Sequence, residues 1–179
     1  MEKFNPLPGT YKTNDFQTEF SKGIRRVIGI DPGLANTGWG VVDYCSGKYR
    51  LVSYGIITTS AKEIHSKRLL HIYDELTKVI REFTPSEAGM EKLFFAKNVT
   101  SALWVAEAKG VVSLCIAQNG IPLEEFSPNK IKQSVTGTAS ADKKLVEQYV
   151  KILLSLKIEP KPDHAADALA CAITKLHCS

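Results

Sequence analysis

Three strand-like stretches follow one another at residues 26–31, 38–44 and 49–58, with turn signals at Asp31-Pro32-Gly33 and Ser46-Gly47 between them. Connections this short make the three strands antiparallel neighbours. Past residue 58 the pattern changes to helical periodicity interrupted by brief strands. Ser60 and Glu63 have the spacing of a capping box, and Leu69, Leu70, Ile72, Tyr73, Leu76, Val79, Ile80 and Phe83 are assigned to one face until Pro85 stops the helix. A short strand ending at Glu91 precedes a second helix over 98–118, closed by Asn119-Gly120. A strand over 122–126 then leads to Ser127-Pro128, an N-cap followed by proline at the first helical position. Two more helices, over 141–156 and 163–177, lie on either side of the Pro160 and Pro162 break. A meander followed by alternating elements predicts an α/β fold: a five-stranded mixed sheet with helices on both faces. In such a sheet the first and fourth strands lie side by side, which makes Asp31 and Glu91 neighbours.

At 179 residues and 44% hydrophobic content, the chain is long enough for one sizeable core and short for two. Residues 1–24, with Asn5, Pro6, Pro8, Gly9, Asn14 and Asp15, lack periodicity and read as a flexible extension ahead of one domain over 25–179. A net charge of +4 favours a polyanionic partner without requiring one. Cys45, Cys115, Cys171 and Cys178 form no Cys-x-x-Cys pair, and the first three fall in apolar strand or helix patterns, as expected of reduced thiols in a cytoplasmic protein. Neither a membrane-spanning run nor a secretory signal layout is evident.

Acidic groups beside a buried strand are costly unless a cation or hydrogen bonds hold them, and Asp31 and Glu91 both end such strands. His164 and Asp167 are three positions apart in the first turn of the last helix, so both project from nearly one face. Placed over the sheet edge, that turn adds an imidazole and a third carboxylate to an oxygen-rich set suited to hard divalent cations. Two Mg²⁺ ions, or Mn²⁺ in their place, about 4 Å apart would serve phosphodiester hydrolysis by activating water and neutralising the leaving oxygen. On this reading Asp31 bridges the ions, Glu91 and Asp167 each complete one side, and His164 ligates or moves a proton. Each residue also has a plainer reading. An Asp before Pro-Gly is often a turn residue, and a histidine at a helix start is often solvated. Asp163 is read as the N-cap of the last helix. His65, His71 and His177 receive no role. The second helix carries a small-residue seam, Ala102, Ala106, Gly110, Ser113 and Ala117, suited either to a subunit interface or to packing on the sheet.

The strand and turn Ile28-Gly29-Ile30-Asp31-Pro32-Gly33, followed by Thr37-Gly38-Trp39-Gly40-Val41, resembles the opening of the RuvC-type Holliday-junction resolvases. Four more segments agree in order: Glu91 to Asn98, Ser101-Ala102-Leu103, Lys130 to Gly137, and His164 to Ala170. The resemblance implies a ribonuclease H-like fold and a homodimeric, Mg²⁺-dependent endonuclease with two ions per subunit. It also implies a four-way DNA junction as substrate and a branch-migration helicase complex of the RuvAB type as partner. By resemblance, Asp31, Glu91 and Asp167 match the catalytic acids, and His164 falls where members carry a fourth acid or a histidine. Phe94 matches an aromatic that stacks on an unpaired base, though periodicity does not separate it from Phe95. Lys132 and Lys143 match residues that approach phosphates. A second glycine often found in the loop 137–143 is missing here, which leaves Lys144 as a substitute for Lys143. The extension is absent from typical members, and no long basic tail follows.

Two rival readings remain at this point. The Asp31-Pro32-Gly33 to Gly38 pattern also resembles the first phosphate loop of actin-like and sugar-kinase ATPases, which need a second lobe. A non-catalytic junction binder would keep the basic surface, but clustered carboxylates have no benefit without a cation.

Overall fold

A computed structural model describes residues 23–93 and 99–178. The expected extension lies outside these residues except for its last two, and Phe94 and Phe95 lie outside them as well. The elements run β1 (Arg25–Asp31), β2 (Asn36–Cys45), β3 (Lys48–Thr58), α1 (His65–Phe83), β4 (Glu87–Glu91), α2 (Val99–Gln118), β5 (Leu123–Phe126), α3 (Pro128–Thr136), α4 (Lys143–Leu153) and α5 (Asp163–His177). The sheet order is β3-β2-β1-β4-β5. Its first three strands are antiparallel, and β1, β4 and β5 are parallel. This is the expected five-stranded mixed sheet, with Asp31 and Glu91 ending adjacent parallel strands.

Helices cover both faces. Ile72, Leu76 and Ile80 of α1 and Ala108, Val112 and Ile116 of α2 form one core layer with Ile28, Ile30 and Met90. The second layer joins Val27, Val42 and Phe126 to Ile131 of α3, Val146 and Val150 of α4, and Leu169 and Ile173 of α5. Because strand side chains alternate, Val27, Gly29 and Asp31 share the α5 face while Ile28 and Ile30 take the other. A strand buried on both faces reads as a continuous apolar run, as β1 does.

Glycines determine how closely α5 lies on the sheet. Gly29 pairs with Gly40 of β2 and with Gly89 of β4, and Asp31 pairs with Gly38. A Cβ on Gly29 would collide with the carbonyl oxygen of Ala168, and one on Gly38 with that of His164. On Gly89 it would stand 2.8 Å from the carbonyl of Cys171. The facing side of α5 is also small, with Ala165, Ala168 and Ala172 fully buried. Helix backbone therefore rests almost directly on strand backbone.

Three local details differ from expectation. Ser60 and Glu63 do not cap α1: Ser60 Oγ accepts from Lys62 N at 3.2 Å and Glu63 Oε2 accepts from Ser60 N at 3.3 Å. Those groups close a turn of their own, and the helix starts at His65 without a side-chain cap. Helix α4 begins at Lys143 because Asp142 caps it, its Oδ1 accepting from Leu145 N at 2.8 Å, and it ends by Leu154, before the positive-φ Ser155. Asp163 is not the N-cap of α5. Pro162 holds that position in extended conformation, and Asp163, in the first turn, instead pairs with Lys143 and Lys161.

Gly29→Val should strip this packing. Overfilling a tight core contact costs about 1 to 3 kcal/mol, which at this size lowers Tm by about 2 to 12 °C. Thermal unfolding followed by circular dichroism checks it, and an unchanged Tm contradicts the close contact described.

Candidate active site

Asp31 and Glu91 leave the carboxyl ends of β1 and β4 on the face occupied by α5. The first turn of α5 lies over Gly38, the register partner of Asp31. That contact places His164 above Asp31, and His164 Nδ1 donates to Asp31 Oδ2 at 2.7 Å. Three residues on, Asp167 faces the same opening. Its Oδ2 accepts from Lys143 Nζ at 3.1 Å, and the same ammonium lies 3.3 Å from Asp163.

Two clefts, each of about 210 Å³, flank the acids. One lies between β4 and helices α3 to α5, with Glu91, Lys132, Lys143 and Asp167 around an apolar floor of Pro128, Ile131 and Val146. The other, on the far side of Glu91, is lined by Asp31, Pro32, Leu93 and Lys109. Lys144 is exposed and lines neither, whereas Lys143 lines the first.

Electrostatics at the site follow from crowding. Burial, then the charges of Asp31 and Asp167, push the Glu91 carboxyl above its usual range, with Lys109 and Lys132 opposing. Burial likewise raises Asp167, against the pull of Lys143. His164 is raised mainly by its hydrogen bond to Asp31. Beneath them the Cys171 thiol, fully buried, is pushed far up by desolvation and by the fields of Asp31, Glu91 and Asp167 together. The three carboxyl groups thus act on one another and on one buried point.

As they stand, Asp31 and His164 are turned to each other and Asp167 to Lys143, and among the described residues no three His, Cys, Asp or Glu groups enclose a metal position. The donor set nevertheless suits a divalent cation: three carboxylates and an imidazole at one sheet edge, two of the carboxyls raised by burial and mutual repulsion. A cation would relieve that repulsion.

Asp31, Glu91, Lys132, Lys143, His164 and Asp167 therefore come together, while Lys144 lies outside both clefts and Phe94 outside the described residues. Sequence reasoning missed Lys109, whose Nζ donates to the carbonyl of Glu91 at 3.3 Å and to Glu125 Oε2 at 2.7 Å. Its signal was legible: Lys109 and Glu107 are the only charged residues of α2. The glycine contacts under α5 were also missed, since the partners of an isolated strand glycine are not written in its own segment.

Residues 27–175 match the family model described as crossover junction endodeoxyribonuclease RuvC. The crossover junction endodeoxyribonuclease RuvC of Treponema denticola is 51% identical over 151 residues, covering 84% of this chain and 85% of that protein. The Roseiflexus protein of the same name is 49% identical over 148 residues, covering 83% and 88%. Among solved structures, T. thermophilus RuvC in complex with a Holliday junction substrate superposes with a TM-score of 0.82 at 34% identity, covering 86% of this chain and 93% of that one. Family model, sequence relatives and fold agree over the whole region that builds the acidic edge, and the chain belongs to the RuvC family of crossover junction endodeoxyribonucleases.

Proposed function

We propose that this chain is a structure-selective endonuclease that resolves four-way DNA junctions by paired, metal-dependent nicks in strands of like polarity during recombination and repair. The observation that carries the reading is the convergence of Asp31, Glu91, His164 and Asp167 at one sheet edge beside Lys132 and Lys143. Membership of the family sets aside the ATPase reading.

Asp31, Glu91 and Asp167 would hold the cofactor, Mg²⁺ as two ions per subunit with Mn²⁺ able to substitute, and His164 would serve as a nitrogen ligand or proton carrier. When bound, these ions supply activation of the attacking water and neutralisation of charge at the leaving oxygen. The chain's own residues do the rest. Lys132 and Lys143 border the acidic cleft, where each positions a phosphate on either side of the scissile bond. Lys143 must give up Asp167 to do so, because one ammonium donates to both acids in the resting arrangement. Phe94, three residues beyond Glu91, holds a splayed base by stacking, worth about 1 to 3 kcal/mol.

A junction is nearly two-fold symmetric, and a homodimer presents two equivalent sites to it. The outer face of α2 is the proposed interface: Leu103, Trp104 and Leu114 are 56%, 51% and 54% exposed, and Gly110 between them has open space around it. Of the seam, only Ala102 is buried, while Gly110 and Ala117 are exposed, so the stripe does not serve mainly to pack on the sheet. A branch-migration helicase complex of the RuvAB type is the proposed partner that delivers junctions. The proposed compartment is the cytoplasm, and no described helix is long and apolar enough to cross a membrane.

Asp31→Asn should bind an immobile four-way junction in Ca²⁺ as the parent does and cut it at least about 100-fold more slowly in Mg²⁺, read on denaturing gels. Normal nicking removes Asp31 from the mechanism. Cleavage should also fall on acidification from above the ordinary carboxylate range, since Glu91 and Asp167 are raised and must be ionised to hold cations. Between the ordinary and raised values the fold binds more protons than the unfolded chain, so metal-free stability declines as pH rises through that window. Glu91→Gln should therefore raise the metal-free Tm at neutral pH, by about 2 to 4 °C for each kcal/mol of repulsion removed, while abolishing cleavage. A Tm below that of the parent contradicts the repulsion. A Cβ on Gly110 has nothing within 4 Å, and Gly110→Trp should leave a folded monomer in sedimentation; a dimer of unchanged affinity rules out this face.

A further inference from the structure

We infer that Lys109 is a positioning residue for the metal-binding edge: clamped by Glu125, it fixes the end of β4 from the opposite face of the sheet and so holds the Glu91 carboxylate where a cation is bound. The inference rests on the metal-dependent reading above.

Register explains why Lys109 acts through backbone. On the parallel strands Met90 lies opposite Glu125, and Glu91 opposite Phe126. Met90 packs in the α1–α2 layer and Phe126 in the α3–α5 layer, so Glu125 points to the α2 side and the Glu91 side chain to the other. Lys109 rises from α2, its side chain 14% exposed, and spans the two strands, donating to the Glu125 carboxylate at 2.7 Å and to the Glu91 carbonyl at 3.3 Å. Beyond Glu91, Lys92 N donates to Phe126 O at 2.8 Å, the last ladder bond on that edge among the described residues. Just where β4 leaves the sheet, then, Lys109 supplies a second tether.

Placement of charge gives the arrangement a further consequence. An ammonium on the α5 face would compete with the cation for the acids, whereas one held behind the strand offsets their repulsion without occupying their oxygens. Residues that orient a ligand in this way affect metal binding or activity by about 10- to 100-fold when removed.

The isoelectric double variant Lys109→Met/Glu125→Gln is compared with Lys109→Arg and with Glu125→Gln alone, which keeps side-chain size. Mn²⁺ affinity is measured by electron paramagnetic resonance, and junction affinity in Ca²⁺, single-turnover cleavage and Tm alongside it. The double variant should need about tenfold more Mn²⁺ for half-saturation and keep its junction affinity within about twofold. Glu125→Gln should fall between it and the parent, and Lys109→Arg should recover most of the loss. Unchanged Mn²⁺ affinity in the double variant and in Glu125→Gln overturns the inference. So does a parallel loss of junction affinity, which makes Lys109 a phosphate contact, or a drop in Tm that fully accounts for the loss with no rescue by arginine. A parent protein that binds Mn²⁺ but does not nick junctions refutes the nuclease reading alone, and the Mn²⁺ affinities still decide the role of Lys109. A parent that binds no Mn²⁺ refutes both.

Discussion

Everything at the acidic edge depends on how closely α5 approaches the sheet. Backbone lies on backbone at Gly29 against Ala168 and at Gly38 against His164, contacts that any side chain on those strands would break. An ordinary helix resting on strand side chains sits about 10 Å away, too far for a first-turn histidine to donate to a carboxylate on the strand below. Removing the strand side chains brings His164 within 2.7 Å of Asp31 and carries Asp167 to the same opening as Glu91. The register that pairs Asp31 with Gly38 therefore fixes both the packing and the chemistry.

Acids brought together this way repel one another, and the fold offsets that repulsion separately for each one. Asp31 is met by His164, Asp167 by Lys143, and Glu91 from behind by Lys109. A different solution operates at the other end of the sheet. There Asp43 is fully buried, and although burial pushes its carboxyl up, paired hydrogen bonds from Arg26 and one from Arg50 hold it below its usual range. Arg26 also donates to the carbonyl of Phe83, tying β1 and β2 to the end of α1. The Asp43 network is closed by guanidinium groups on both sides, as a structural ion pair must be to survive burial. The active edge keeps its partners exchangeable, with a histidine and a half-exposed lysine that can turn to other ligands.

Much of this was legible in the sequence, because periodicity records which face of an element is buried. The continuous apolar run of β1, the turns at Pro32-Gly33 and Ser46-Gly47, and the proline stops placed all ten elements in order, and with them Asp31 beside Glu91. His164 and Asp167 could be joined to that pair because three-residue spacing puts both on one helical face. What could not be read was which partner a side chain takes when spacing and composition allow more than one, and any contact whose partner is remote in sequence. Ser60 and Glu63 fit a capping box by spacing, yet their hydrogen bonds close a separate turn before the helix. Asp163 has the composition of a cap, but the extended proline ahead of it takes the position and frees its carboxylate for two lysines. Lys109 is the one cation of an apolar helix, a signal the sequence reading passed over, and only the fold supplies Glu125 and the Glu91 carbonyl as its partners.

Anomalous diffraction from crystals soaked in Mn²⁺ tests most directly whether these side chains form one cation site. The account predicts a strong peak bounded by Asp31, Glu91 and Asp167, with the Lys143 ammonium withdrawn from Asp167. A map with no peak there, in which His164 still holds Asp31 and Lys143 still holds Asp167, would contradict it.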